Sequence, residues 1–202
     1  RLLAIPYGAD LPDPGTTEEI DRLGITSGEY ILFVGRLVPE NNAHLLVEAY
    51  KKLDTNWPLV IVGDAPYADA YIAELKTGAG DNVLFPGYVF GHGYAELVNN
   101  CGVMCAPTEV GGTHPVIVEA MAAGAPLVVS DHAPNLEVVG DAADTFSLAA
   151  GSTSLAPVLQ RLIHDPGRRD VLAARATSRA AARFSWATCA DRYLAMAQVI
   201  AR

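Results

Sequence analysis

The chain has 202 residues, 50% of them hydrophobic, with 14 lysines and arginines against 23 aspartates and glutamates and a formal net charge of −9. That is enough apolar material for one sizeable core, and the negative balance, with no lysine or arginine run to offset it, argues against nucleic acid as a partner. No apolar stretch reaches the about 20 residues of a bilayer span and no signal sequence opens the chain, which still leaves room for peripheral membrane contact.

Residues 1–28, with IPYGADLPDPG near their head, are rich in Pro, Gly and Asp and read as a leading segment. Arg1 in place of Met leads us to expect a piece cut from a longer protein. From residue 29 onward short apolar runs recur: YILFVGR (30–36), PLVIVGD (58–64), NVLFPGYV (82–89), VMCAPT (103–108) and PLVVSD (126–131). Runs this continuously apolar are strands buried on both faces, as in a parallel sheet. Helical patterns lie between them. In AHLLVEAYKKL the residues Leu45, Leu46, Ala49 and Leu53 share a face while Lys51 and Lys52 turn to water, and 67–76 and 94–101 behave alike. Strand and helix alternating at this interval predict βαβ units and a Rossmann-like, doubly wound parallel sheet with helices on both faces over residues 29–184. Beyond residue 150 the pattern is helical, and Ser185 is placed to cap a last helix over 185–202. The three cysteines, Cys101, Cys105 and Cys189, lie in apolar or helical contexts without a second Cys/His pair, so they read as core residues of a cytoplasmic protein rather than zinc ligands or disulfides.

An open α/β sheet binds ligands at the carboxyl ends of its strands. Those ends carry Gly35-Arg36, Gly63-Asp64, Gly87-Tyr88 and the turn TEVGGTHP. Glycine at such an end lets a ligand approach the backbone, or simply terminates a strand. In the turn, Pro115 suits the first helical position, and Thr113 or His114 can cap. Gly111, Gly112 and Thr113 then present backbone N–H groups where a helix dipole adds roughly half a positive charge, a site suited to diphosphate. Glu119, about one turn into that helix, leans back toward the turn and can accept the hydroxyls of a ribose; as a solvated helix residue it would instead only serve the dipole. Glu109 can accept hydroxyls of a second sugar. Arg36 can aim its fork at phosphate from the opposite side of the crevice, or pair with Glu40 or Asp64. Neither GxGxxG nor GxxxxGK[ST] occurs in the chain.

The order IPYGAD, VGRLVPENN, VIVGDAP, VLFPGYV and then EVGGTHPVIVEAMAAGAPLVVSD resembles the carboxyl-terminal, donor-binding half of the retaining glycosyltransferases with the two-domain B-type fold, over about residues 3–148. PENN, EVGGTHP and NLEVVGDAA resemble bacterial polysaccharide rhamnosyltransferases in particular. The resemblance implies that Arg36 contacts the donor phosphates, Glu119 holds the nucleotide ribose, Glu109 positions the transferred sugar, and Gly87 and Tyr88 flank the base. Gly35, Asn41, Asp64 and His114 complete the expected donor site. The family spaces its two glutamates two positions more closely than Glu109 and Glu119, which puts Gly111 at the ungapped position, and Asn41 stands where the family has a phosphate-binding lysine.

The implied substrate is a nucleotide diphosphate sugar, thymidine-linked rhamnose or a uridine- or guanosine-linked hexose, used without a metal or other cofactor. Acceptor and further catalytic groups would come from an amino-terminal domain toward which the last helix runs, so this chain alone is expected to bind donor without transferring. A nucleotide-sugar epimerase of the same fold, a binding module without chemistry, and an unrelated α/β domain are the competing readings.

Overall fold

The computed structural model of the protein describes residues 5–10 and 15–200. Residues 1–4 and 11–14 of the leading segment, and the final two positions of the last helical pattern, lie outside them. The strands are β1 Ile31–Val34, β2 Leu59–Val62, β3 Val83–Gly87, β4 Val103–Ala106, β5 Leu127–Ser130 and β6 Asp144–Phe146. They form one sheet in the order β3-β2-β1-β4-β5-β6, parallel at every pairing. The order reverses between β1 and β4, the position where an open sheet of this kind leaves a crevice.

The helices are α1 Glu18–Leu23, α2 Ala43–Tyr50, α3 Asp69–Gly78, α4 Gly91–Asn99, α5 Pro115–Ala123, α6 Ala133–Val139, α7 Ser152–His164, α8 Pro166–Arg183 and α9 Trp186–Ile200. Because successive strand residues point to opposite faces, strands β1 to β5 feed two cores. Ile31, Phe33, Leu59, Ile61, Val103, Cys105 and Val128 join α2, α3 and α7 in one core. Leu32, Val60, Val62, Met104, Ala106, Leu127 and Val129 join residues of α4, α5, α6 and α8 in the other. This is the doubly wound architecture expected from the alternation. The cysteines are free and buried, and burial pushes the Cys101 thiol up to about 12.

Three elements carry no signal in the sequence. Helix α1 has Ile20 as its one buried residue, too little for a period. It is held by the buried Glu96 carboxylate of α4, which accepts from the Ile20 amide at 2.7 Å and from the Thr16 hydroxyl at 3.0 Å. Helix α6 is seven residues long, too short for a period, opens with a proline in its first turn and follows closely on PLVVSD. Strand β6 is three residues long and begins with an aspartate, a residue depleted in strands. Two boundaries also move: α4 starts at Gly91 rather than Tyr94, through the weakly helical Gly-His-Gly, and α3 occupies 69–78 rather than 67–76. Ser185 does cap α9, its hydroxyl accepting from the Thr188 amide at 3.1 Å.

Two features tie the frame together. Asp144, buried at the sheet edge, accepts from Arg168 at 2.6 Å and Arg161 at 2.9 Å, which staples β6 to α7 and α8. Burial pushes its carboxyl pKa up, but the two guanidinium hydrogen bonds outweigh this and leave it lowered. At the other end of the sheet Gly63 has φ of 128°, and a Cβ there would lie 1.9 Å from the Gly35 carbonyl oxygen. The strand ends are stitched at this point: the Gly63 amide donates to the Gly87 carbonyl at 2.8 Å and the Gly35 amide to the Val62 carbonyl at 3.1 Å. Sequence reasoning allowed Gly63 to serve ligand approach; its need for glycine comes from the neighbouring strand end.

Asp144→Asn is expected to cost about 2 kcal/mol in urea unfolding at pH 7, below the full penalty for breaking a buried pair because both arginines reach solvent. The native carboxyl binds its proton less readily than the unfolded one. Its contribution is therefore complete above the unfolded value of about 3.9 and fades as pH falls through the folded value, so wild type and variant should converge in acid. Gly63→Ala should lose about 3 kcal/mol or more, or fail to fold; an unchanged urea midpoint would mean that the strand ends can spread.

Candidate functional site

The site is built from the ends of β1 and β4. Beyond β4 the chain runs through Pro107 and Thr108 into the turn that precedes α5. Three buried side chains from other elements fix its base. Asn42 Nδ2 donates to the Pro107 carbonyl at 3.1 Å, while Ser130 Oγ and Asn135 Nδ2 donate to the Thr108 carbonyl at 2.6 and 3.2 Å. Asn135 also reaches Ser130 Oγ at 2.8 Å, and both are fully buried. The loop after β1 is tied in as well. Asn41 Nδ2 donates to the Arg36 carbonyl at 2.8 Å, the Thr108 hydroxyl to Asn41 Oδ1 at 3.3 Å, and the Glu109 amide to the Glu40 carbonyl at 3.1 Å.

Above this base the backbone turns with its amides open. Among the described residues the N–H groups of Gly111, Gly112 and Thr113 make no hydrogen bond. Gly111 has φ of 93° and lies against the ring of His114, where an added Cβ would be 3.0 Å from Cε1; the left-handed backbone and the close ring both favour glycine. His114 is the N-terminal cap of α5 through its carbonyl, which accepts from Ile117 and Val118 at 3.1 and 3.3 Å. Neither His114 nor Thr113 caps the helix with its side chain, which corrects the sequence expectation. The ring instead turns under Gly111 with its Nε2 buried and unpartnered. Burial lowers its pKa, against an opposing hydrogen bond to the Val110 backbone and with a further lowering from His132.

Gly35, Arg36, Asn41, Gly111 and His114 line one cavity of about 240 Å³ together with Thr108 and Val110, at the point where the strand order reverses. Arg36 is exposed, and its guanidinium donates to the Tyr67 hydroxyl at 3.1 Å. Among the described residues it forms no ion pair with Glu40 or Asp64; the Asp64 carboxylate accepts from the Ala65 amide at 2.8 Å instead.

The other expected residues are not part of its lining. Glu109 is exposed at its rim. Gly112 and Thr113 face a neighbouring cleft of about 370 Å³ that also holds Arg183 and Arg192. Gly87 ends β3, and Tyr88 beyond it stacks on Phe90 with centroids 5.6 Å apart, both rings exposed. Glu119, half-buried on α5, receives a 2.5 Å hydrogen bond from the Tyr94 hydroxyl of α4. Sequence reasoning passed over Asn42, Tyr94, Thr108, Ser130 and Asn135. The available signal was polar residues at the ends of otherwise buried strands, in APT and VVS, and an asparagine just inside a helix. Among the described residues no group of three or more His, Cys, Asp or Glu is placed to hold a metal ion.

The family model described as glycosyl transferases group 1 matches residues 16–179. The chain belongs to that family. It is 29% identical over 170 residues to an uncharacterized glycosyltransferase, MJ1607, of Methanocaldococcus jannaschii, covering 81% of this chain and 43% of that protein. It is 30% identical over 169 residues to the O-antigen chain mannosyltransferase B of Escherichia coli, covering 79% and 43%. The group 1 domain has the fold of Anabaena HepE, solved in complex with UDP and glucose, with a TM-score of 0.81 at 22% identity over 96% of this chain and 54% of that one. The chain thus spans about half the length of the curated relatives it matches and about half of the HepE chain whose fold it shares.

Asn135→Ala should lose about 2 kcal/mol by removing two buried hydrogen bonds and leaving a void. It should also speed hydrogen exchange at the amides of Val118 and Glu109, which flank the turn, more than at the β2 amides; uniform acceleration would mean that Asn135 serves global stability alone.

Proposed function

We propose that this domain is the donor-binding half of a retaining glycosyltransferase and that it grips the diphosphate of a nucleotide sugar in the crevice between the ends of β1 and β4. The observation that carries the reading is that, among the described residues, Arg36 forms no ion pair and shares a cavity with Gly111, whose amide makes no hydrogen bond, while the equally open amides of Gly112 and Thr113 border the adjoining cleft that holds Arg183 and Arg192. Glycosyl transfer breaks the bond between the anomeric carbon and the diphosphate oxygen, and the electron pair leaves with the diphosphate. Preorganised N–H dipoles and a fixed guanidinium stabilise charge that develops there more than they stabilise the ground state. Asn41, which is engaged with the Arg36 carbonyl and with Thr108, supports the position of Arg36 rather than adding a charge. In this reading Glu109 faces the transferred sugar, Glu119 takes the nucleotide ribose, and Tyr88 lies beside the base.

The motif resemblance supports rhamnose carried on a thymidine nucleotide. A hexose donor is the second reading, favoured by the matched relative named as a mannosyltransferase. Acceptor and remaining catalytic groups would come from a further domain, which is supported by the chain's coverage of only about half of its relatives. The free, buried cysteines suit a reducing, cytoplasmic setting, and no described helix is long and apolar enough to cross a membrane.

Calorimetric titration of the domain with thymidine, uridine and guanosine diphosphates tests the proposal. One of them should bind, and Arg36→Ala should weaken it about 10- to 100-fold, the range for losing a charge-assisted hydrogen bond. An Arg36→Ala domain that binds as wild type does would remove the diphosphate from this crevice. Transfer to an acceptor by the full-length protein separates a transferase from an epimerase, which would release altered sugar nucleotide without one.

A further inference from the structure

Consecutive residues of the turn divide between two cavities. Gly111 lines the crevice with Arg36, whereas Gly112 and Thr113 line the adjoining cleft of about 370 Å³, whose other walls come from the leading segment, α6, α8 and α9. That volume lies in the range of small-ligand sites.

The arginines of this cleft differ from those around them. On α7 and α8, Arg161 and Arg168 hold Asp144, Arg175 pairs with Asp141, and Arg169 and Arg179 donate to carbonyls near the ends of α7 and α6. Arg183 at the end of α8 and Arg192 on α9 form neither ion pair nor hydrogen bond among the described residues, and both line the cleft. Arg192 is half-buried there. Arg183 acts against its neighbour: burial, and then the Arg183 charge, lower the Arg179 pKa, while Asp141 raises it. Glu137 also lines the cleft without an ion pair, so two guanidiniums face one carboxylate and the balance is positive.

Two uncompensated guanidinium forks and two open backbone N–H groups, brought to one cleft from three elements, suit an oxyanion. Much of the remaining lining is apolar, with Ile5, Pro134, Val138 and Phe184, which suits the C–H face of a sugar ring. The donors considered above carry no anion beyond the diphosphate, so their own sugars leave these cations unanswered. We propose that the cleft is a second oxyanion subsite that takes the carboxylate or phosphate of an acidic sugar acceptor, set beside the donor by the shared turn. Assignment to the acceptor rests on the donor reading made above, whereas oxyanion binding in the cleft does not.

The test follows the backbone amide resonances of the chain by NMR during titration with glucuronate, glucose 6-phosphate, inorganic phosphate and glucose. Glucuronate or glucose 6-phosphate should shift Gly112 and Thr113 saturably and bind more tightly than inorganic phosphate; glucose should leave those resonances in place. The better of the two acids tells a carboxylate acceptor from a phosphorylated one. Arg183→Gln and Arg192→Gln should each weaken it about tenfold, the loss of one charge-assisted hydrogen bond, and should weaken nucleoside diphosphate binding by about twofold or less. Glu137→Gln should tighten it. Both arginines reach solvent, and a thermal melt checks that each variant is folded. Shifts confined to other parts of the chain, inorganic phosphate binding as well as the acidic sugars, or simple competition between acidic sugar and nucleoside diphosphate would overturn the subsite and leave the donor reading standing. Tighter binding of a nucleoside diphosphate hexuronate than of the matching hexose, lost in Arg183→Gln, would overturn the assignment to the acceptor. If no nucleoside diphosphate binds while the acidic sugars do, the donor reading falls and the oxyanion cleft remains.

Discussion

The Thr108 carbonyl is the point on which the site depends. A strand that emerges from the middle of a parallel sheet leaves a carbonyl in a buried, nearly dry place, where an unsatisfied acceptor is costly. Here that acceptor is met by Ser130 from β5 and Asn135 from α6, and Asn42 meets the preceding carbonyl from the opposite side. With the base of the turn fixed from both sides, the next residues can leave their own amides unpaired and directed outward. The rigidity of the base and the openness of the turn above it belong together: the first makes the second tolerable.

The two loops at the crevice are coupled rather than independent. Asn41 lies between them, donating to the Arg36 carbonyl and accepting from the Thr108 hydroxyl, and the Glu109 amide joins the Glu40 carbonyl. Asn41 occupies the position where the resemblance places a lysine, and its uncharged amide ties the walls of the cavity together. The backbone that carries Arg36 is thereby tied to the base of the turn that carries Gly111.

Much of this was legible before any coordinates. Strands β1 to β5 showed themselves because each is a continuous apolar run, and their alternation with helical periods was enough to give the doubly wound sheet. Arg36, Gly111 and His114 could be singled out because they follow strand ends, where an open sheet exposes its backbone, and Asn41 because the family resemblance places a lysine there. What escaped had a common cause. Helix α1 and strand β6 are too short for a period and owe their places to Glu96 and to two arginines distant in sequence. Ser130, Asn135 and Tyr94 look ordinary until the fold brings each to its partner. Glycine proved ambiguous in the opposite direction. Gly63 looked like a residue that clears space for a ligand, yet its steric demand comes from the Gly35 carbonyl alongside.

The edges of the sheet have a consequence for assembly. Strand β6 is short and carries a buried carboxylate clasped by Arg161 and Arg168, and β3 at the far edge contains Pro86, which has no N–H to give. Both margins are therefore poor templates for an incoming extended chain. Whatever this domain docks against is met by its helices and loops, because continuation of the sheet from one molecule into another is discouraged at either end.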